Sequence, residues 1–331
     1  MNPGQWVFPA IIYRILNLIA GLIVIVLFTR LMGPQGYGVL SLLVANVSIL
    51  TLVTCLGAES GITYHYSSRS LHKQRIFSIV YTVIFFQLLL VLIVELIHKN
   101  VTGHYWLIAG NEMRFLLWGL VYLFSVTVID KYIAFLNASH HYIMANKLVF
   151  WGNLILLLTA GFFYFQGEPR SHFFYLKIFI SASLVQALLL MLTFHIVTKQ
   201  SLQFAKPARP DWKLFFSYSL LVFITNVIQF LAYRVDYWLI DYYKGEEALG
   251  LYSLAVKLGQ LFWVLPLLFA SMIFPAMADK EKNFDIKKLL SMIRVSQMII
   301  LLTMVVAALL AGWIIPVVFG NEFKDSVEPF L

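Results

Sequence analysis

Apolar runs long enough to cross a hydrocarbon layer follow one another along nearly the whole chain. A bilayer core of about 30 Å takes roughly 20 residues of α-helix. Nine stretches meet that length: residues 7–29, 38–63, 76–97, 115–136, 146–165, 173–198, 213–240, 248–276 and 289–319. Pro316 is expected to end or kink the last of them. The polar connections are short, none above roughly 20 residues, so no soluble domain fits between the spans. The pattern predicts an all-α fold, a polytopic membrane helical bundle of about nine transmembrane helices.

Composition agrees. Of 331 residues, 61% are hydrophobic and 12% are charged, and mean hydropathy is +0.83. Globular chains carry about 25% charged residues, so lipid must solvate much of this one. The lone cysteine, Cys55, excludes an intramolecular disulfide and any multi-cysteine metal site. The N-terminus has no basic region or small-residue cleavage site before its first apolar run, which predicts a retained first span.

The net charge of +8 is distributed as membrane topology rather than as a nucleic-acid surface. One set of alternate loops holds Arg69, Lys73, Arg75, Lys131, Lys147, Lys199, Lys206, Arg209, Lys213, Lys280, Lys282, Lys287, Lys288 and Arg294. The other set holds Arg30, Lys99, Arg114, Arg170, Lys177, Lys244 and Lys324, a ratio of 14 to 7. Basic loops stay cytoplasmic, which places the N-terminus inside and, after nine spans, residue 331 outside.

An internal repeat organises the chain. Gly33-Pro-Gln-Gly-Tyr-Gly-Val-Leu-Ser-Leu-Leu-Val44 aligns without a gap, 212 residues on, with Gly245-Glu-Glu-Ala-Leu-Gly-Leu-Tyr-Ser-Leu-Ala-Val256. The copies join spans 1 to 2 and 7 to 8, so the two units run the same way through the membrane, as in transporters built from two parallel bundles. The expected organisation is a six-helix lobe over residues 1–200 and the first three helices of a second lobe over 201–331. Two full units would need about 424 residues, so a fragment with an incomplete second lobe is expected.

Arg30-Leu-Met-Gly-Pro-Gln-Gly-Tyr-Gly38 before an apolar span resembles the opening of bacterial polysaccharide flippases. These are the Wzx-type O-antigen and capsule exporters of the multidrug/oligosaccharidyl-lipid/polysaccharide superfamily. Arg234-Val-Asp236 followed by Lys244–Lys257, Pro275 at the end of the eighth span, and Phe319-Gly-Asn-Glu-Phe323 carry the same resemblance. It implies a two-lobed bundle around a central cavity that moves undecaprenyl-pyrophosphate-linked oligosaccharide from the cytoplasmic to the periplasmic face of the bacterial inner membrane. Membrane lipids and other polysaccharide assembly proteins are the expected partners, with no cofactor, metal or nucleic acid.

Charge within a bilayer costs about 2.5–3.5 kcal/mol on insertion scales, which makes in-span ionic residues functional candidates. Arg14 shares a helical face with Asn17, and the repeat offset maps these two onto Asn226 and Gln229. Arg14, Asn17, Asn226, Gln229, Arg234 and Lys257 are the candidate lining for a diphosphate and its sugars, because arginine offers paired donors and a permanent charge. Snorkelling to the headgroups is the plainer reading of Arg234 and Lys257. Glu59 and Asp236 are candidates for ion coupling, and Glu59 has the alternative task of neutralising Arg14. Asp130-Lys131 reads as a solvated span end, Gly57–Gly61 as a close helix contact.

No phosphate loop, H-E-x-x-H, G-x-S-x-G or C-x-x-C motif occurs, which argues against an enzyme. The competing readings are an ion-coupled drug exporter of the same superfamily, a membrane sugar polymerase or ligase, and a structural scaffold. With Cys55 changed to Ser, an impermeant thiol reagent should label Arg170→Cys and Lys244→Cys from outside the cell. Lys73→Cys and Arg209→Cys should stay unlabelled, and the reverse pattern would invert the topology.

Overall fold

The computed structural model describes residues 4–108, 110–168, 170–200, 203–263, 266 and 286–331, without the side chains of residues 4–11, Arg14, 286–289 and Met292. Its helices are α1 (Gly4–Cys55), α2 (Ala58–Ser68), α3 (Lys73–Thr102), α4 (Met113–Ala138), α5 (Tyr142–Gln166), α6 (His172–Thr198), α7 (Arg209–Gln260), α8 (Ile286–Phe319) and α9 (Val327–Phe330). Short 3-10 turns cover Leu261–Trp263 and Asn321–Ser326. Among the described residues no strand forms; a lone bridge pairs Tyr105 with Gly110. The protein is an all-α polytopic bundle.

Among the described residues, seven helices are long and apolar enough to cross a membrane. Two exceed one crossing: 41 residues over Ile15–Cys55 and 55 over Arg209–Trp263. Each folds over at one glycine. Gly33 (φ 63, ψ −179) and Gly245 (φ 82, ψ 177) interrupt otherwise continuous helix, and a positive φ of that kind is open chiefly to glycine. The corners divide α1 into α1a (4–32) and α1b (34–55), and α7 into α7a (209–244) and α7b (246–260). They fall where the sequence separates spans 1 from 2 and 7 from 8, with a one-residue corner in place of a loop.

Other boundaries move. The span expected over 38–63 breaks at Leu56 and Gly57, both at positive φ, and continues as the separate helix α2. Pro316 neither ends nor breaks its helix, which runs on to Phe319. A proline in the last turn withdraws only one N–H close to the terminus, and Arg30 donates to the Val317 and Val318 carbonyls, which the helix end leaves without intrahelical partners. Pro275 and the last part of the expected span 248–276 lie outside the described residues.

The bundle exposes many apolar side chains and buries several polar ones within a largely apolar core. Large side chains such as Phe85, Phe165, Ile196, Leu221 and Leu309 stand exposed, while Gln87, Glu95, Thr127, Lys131 and Ser219 are buried. Lipid stabilises the first set, and hydrogen-bonding groups seek the interior when no water surrounds them. Helix α1 packs chiefly on α7 and α5, and α4 on α6 and α2. Gly57 and Gly61 meet α7 closely: a Cβ on either would collide with Ser219, as expected of small residues at a helix contact.

The alternate loops sort to opposite ends. Arg69, Lys73, His140 and Lys199 line adjoining crevices at one end. At the other, Arg30 donates to the Tyr164 hydroxyl at 3.0 Å, Arg114 stacks on Phe115 and Phe173, and Arg170 on Phe163 and Phe174. Lys131 belongs to neither end. It is 1% exposed within α4, so its place among the loop cations is corrected.

At the corner end the two repeat copies cross. A Cβ on Gly38 would overlap the Glu246 carbonyl oxygen, and one on Gly250 would overlap the Pro34 carbonyl oxygen. Ser41 Oγ donates to Ser253 Oγ at 2.8 Å, a pair separated by the repeat offset of 212 residues. The same offset exchanges the two glycine contacts, so α1b and α7b meet about a local two-fold axis through the serine pair. Gly38→Ala should overpack this crossing, lowering stability by roughly 1–3 kcal/mol. Gly312→Ala, where a Cβ meets open space, should be nearly neutral; thermal unfolding in detergent compares the two.

Candidate functional site

Beneath the crossing, helices α1b, α2, α4 and α7 surround a cavity in three joined compartments. Each helix presents one face at helical spacing: Ser41, Ser48 and Thr51 from α1b; Glu59, Thr63 and Ser67 from α2; Tyr122, Asp130 and Asn137 from α4; Asn226, Tyr233 and Arg234 from α7a. The compartment next to the crossing holds ≈ 230 Å³, the middle one ≈ 350 Å³ and the third ≈ 930 Å³. Ser48 and Arg234 line both the first and the middle; Glu59 and Asp130 line both the middle and the third. The cavity therefore tapers towards the crossing. It widens at the Arg69 end, where Thr63, Tyr64, Ser67 and Ser68 are exposed.

The narrow compartment is cationic. Arg234 and Lys257 line it with Tyr37, Ser41 and Tyr237, and no acidic side chain is among its described lining. The Arg234 guanidinium lies 4.6 Å from the centre of the Tyr237 ring. Arg234 Nη1 and the Tyr237 hydroxyl are both buried without a hydrogen-bond partner among the described residues. Buried donors are costly to leave unpaired, so these groups suit an acceptor, most favourably an anionic oxygen. Both cations face a cavity within the bundle, which is where the snorkelling reading and the cavity reading part.

The middle compartment is amide-rich. Asn226, Gln229 and Gln260 line it beside Tyr233, supplying donors and acceptors suited to hydroxyl groups. At its junction with the wide mouth stand the two carboxylates. Lys131 Nζ donates to Glu59 Oε2 at 2.8 Å, with Lys131 1% and Glu59 34% exposed. Asp130, the preceding residue, is exposed to the cavity and has no ion-pair or hydrogen-bond partner among the described residues. The Asp130-Lys131 doublet is thus a buried cation behind a cavity-facing carboxylate, not a solvated span end. Glu59 is neutralised by Lys131. The sequence signal was available: the doublet falls inside an apolar run, where a charge needs a partner.

Two candidates lie elsewhere. Asn17 Nδ2 donates to the Asn146 carbonyl at 3.2 Å, on the seam between α1 and α5, and does not line these compartments. Asp236 accepts from the Tyr252 hydroxyl and, at 3.0 Å, from the Tyr237 N–H, so it ties α7a to α7b and faces none of them. The Arg14 side chain lies outside the described residues. Asn46, in an Asn-x-Ser triplet, is 1% exposed; it donates to the Trp106 carbonyl at 3.0 Å and accepts from Trp238 Nε1 at 2.7 Å. That bridge between α1b and α7a had no sequence signal beyond an amide in an apolar run.

One further contact holds α7a in place at the Arg69 end. Arg75 Nη1 reaches both oxygens of Asp211, at 3.0 and 3.1 Å, while Asp211 also accepts from the Ala208 N–H at 2.7 Å. The carboxylate serves as helix cap and ion-pair partner together. Lys131→Ala should strand Glu59 without its partner. Breaking a buried pair costs roughly 3–5 kcal/mol, and the exposed Glu59 side puts this case at the low end. Lys131→Met combined with Glu59→Gln should recover much of the loss, as read by thermal unfolding.

The geometry can be set beside known proteins. Residues 176–328 match the family model described as polysaccharide biosynthesis protein. No curated protein and no solved structure matches the chain. The match begins within α6 and takes in α7, α8 and the Phe319–Phe323 segment, and so covers Asn226, Gln229, Arg234 and Lys257.

Proposed function

We propose, from the premise that residues 176–328 carry the pattern of the polysaccharide biosynthesis protein family, that this chain moves a lipid-linked oligosaccharide across the bacterial inner membrane. The family supports a role in polysaccharide biosynthesis, and the span set supports a membrane protein. The observation that carries transport of this cargo is the order of chemistry along the cavity. A wide mouth leads past amides to a narrow end lined by two cations, with no acid among its described lining.

A polyprenyl-pyrophosphate-linked sugar has parts to match. Its diphosphate offers acceptor oxygens for Arg234 and Lys257, its sugar hydroxyls suit Asn226, Gln229 and Gln260, and its lipid tail stays with the bilayer. Arginine suits the diphosphate because the planar fork can hold two oxygens and never loses its charge. A cavity shut at the crossing and open at the Arg69 end is a loading state. Basic loops remain cytoplasmic, and the loop ratio is still 13 to 7 with Lys131 removed. The mouth then faces the cytoplasm, and cargo enters where such lipids are assembled.

Release on the far side requires the α1b–α7b crossing to part. Its contacts include two glycines and a serine pair beside a small apolar cluster of Ala45, Tyr237 and Leu249. A drug exporter organised around carboxylates fits the narrow compartment poorly.

Arg234→Ala should weaken binding of geranyl pyrophosphate, a short lipid pyrophosphate, by about 10- to 100-fold, the usual range for hydrogen bonds to a charged group. Arg234→Lys should recover part of that, since the ammonium keeps charge but not the fork. Calorimetry or fluorescence titration of the purified protein checks both. Unchanged affinity in Arg234→Ala would remove the anion site from the proposal.

A further inference from the structure

At the Arg69 end the chain turns from α2 into α3 and from α4 into α5, and it leaves α6. Two adjoining crevices of ≈ 620 and ≈ 330 Å³ open between these turns, and Tyr66, Arg69, Lys73 and Gln200 line both. No acid is among their described lining. Arg69, Lys73 and Lys199 form no ion pair among the described residues.

Helix dipoles account for part of this charge. Arg69 and Lys199 sit at the C-termini of α2 and α6, where a cation is favoured. Lys73 goes against that rule. It is the first residue of α3, and the first turns of α3 and α5 hold no acid. Their cap residues, His72 and His141, make no side-chain hydrogen bond to the helix. Two helix N-termini with open N–H groups are thus turned to the crevices, beside a lysine that adds to their positive charge.

Two further observations point to a guest. Tyr66 is 5% exposed, yet its hydroxyl has no partner among the described residues, and the buried His141 Nδ1 has none either. The Lys73 ammonium lies 4.8 Å from the centre of the Tyr66 ring. Backbone strain gathers here as well. Of the four non-glycine residues described at positive φ, Arg69, His140 and Lys199 line these crevices. Glycine usually takes such a place at a helix end, and strain that persists in its absence clusters at functional sites.

We propose that the crevices bind a phosphate group, carried by an acidic phospholipid head or free as inorganic phosphate. Arg69 supplies a planar pair of donors, Lys73 and Lys199 supply point charges, and the Tyr66 hydroxyl supplies a further donor. Bound phosphate would tie the α2–α3 turn, the α4–α5 turn and the end of α6 together. Ser67 separates this site from the cargo path: it lines the wide mouth and the smaller crevice and donates to the Ala138 carbonyl at 3.3 Å. The site does not depend on the cargo reading.

The test uses the purified full chain in detergent. One arm follows melting temperature by tryptophan fluorescence in sodium phosphate against sodium chloride of equal ionic strength. The other titrates fluorescent phosphatidic acid against the phosphatidylcholine analogue. The wild type should melt higher in phosphate, or bind phosphatidic acid at least about tenfold tighter than the analogue, the low end for hydrogen bonds to a charged group. A response in the lipid arm alone identifies a lipid head; a response to phosphate shows that the free ion suffices. Arg69→Gly removes the cation and the strain together, so it should weaken binding about tenfold while its melting temperature without ligand is kept or raised. Lys73→Gln should weaken binding to a similar degree, and Arg234→Ala, in the cargo cavity, should bind as the wild type does. A wild type that responds in neither arm overturns the site, as do Arg69→Gly and Lys73→Gln proteins that both bind with unchanged affinity. Binding lost in Arg234→Ala alone would place the anion in the narrow compartment and overturn it equally.

Discussion

Two glycines that let two helix backbones touch determine where everything else stands. Gly38 and Gly250 each leave the space that a carbonyl oxygen of the opposing helix fills. Side chains at these positions would hold α1b and α7b apart, and the cavity would have no closed end. Without a hydrophobic effect between helices in lipid, close backbone approach and hydrogen bonds such as Ser41 to Ser253 are what hold such a crossing. The corners at Gly33 and Gly245 serve the same contact: each lets a helix arrive at the crossing at an angle its preceding arm could not supply.

Given that crossing, charge is sorted along the cavity by depth. Lys257 and Arg234 line the narrow end, where no acid is among the described lining, while the amides and both carboxylates line the middle compartment that Arg234 also reaches, with Lys131 paired to Glu59. Buried charges elsewhere in the protein are satisfied by the chain itself. Glu95 accepts the Trp106 and Leu107 N–H groups at 2.9 and 3.1 Å, Asp236 binds Tyr252, and Asp211 binds Arg75. Among the described residues, buried polar atoms without a partner lie partly along the cavity, at Arg234 Nη1, the Tyr237 hydroxyl and Thr51 Oγ1, and partly away from it, at Asn17, His65, Tyr66, Gln87, His141 and Ser326. In a low-dielectric interior such gaps are costly.

The stability of the bundle is organised differently from that of a water-soluble protein. Aromatic and aliphatic side chains cover the lipid face, and the interior combines two large apolar clusters with a minority of buried polar side chains. Small residues at Gly57, Gly61, Gly38 and Gly250 set helix spacing where bulk would in a soluble core. The charged Arg114 and Arg170 rest on phenylalanine faces at the corner end, where a guanidinium keeps contact with water while its stem covers ring surface.

What the sequence alone determined follows from local rules. Span lengths come from the thickness of hydrocarbon, the two ends from the alternation of loops, and the corners from glycines that recur at one offset. Even the pairing of the repeat copies was implicit in their match, because residues equivalent by sequence meet across a two-fold axis. Only the tertiary structure decided the partners of charges. Glu59 bonds Lys131, Asp236 turns to Tyr252, Asn17 serves the seam with α5, and Asp130 faces the cavity. The reason is rotational: hydropathy places a residue at a depth in the membrane, but helices that are apolar on nearly every face carry little record of which side meets which neighbour. That is settled by where the glycines allow helices to approach, and by which polar groups then lie within hydrogen-bonding reach.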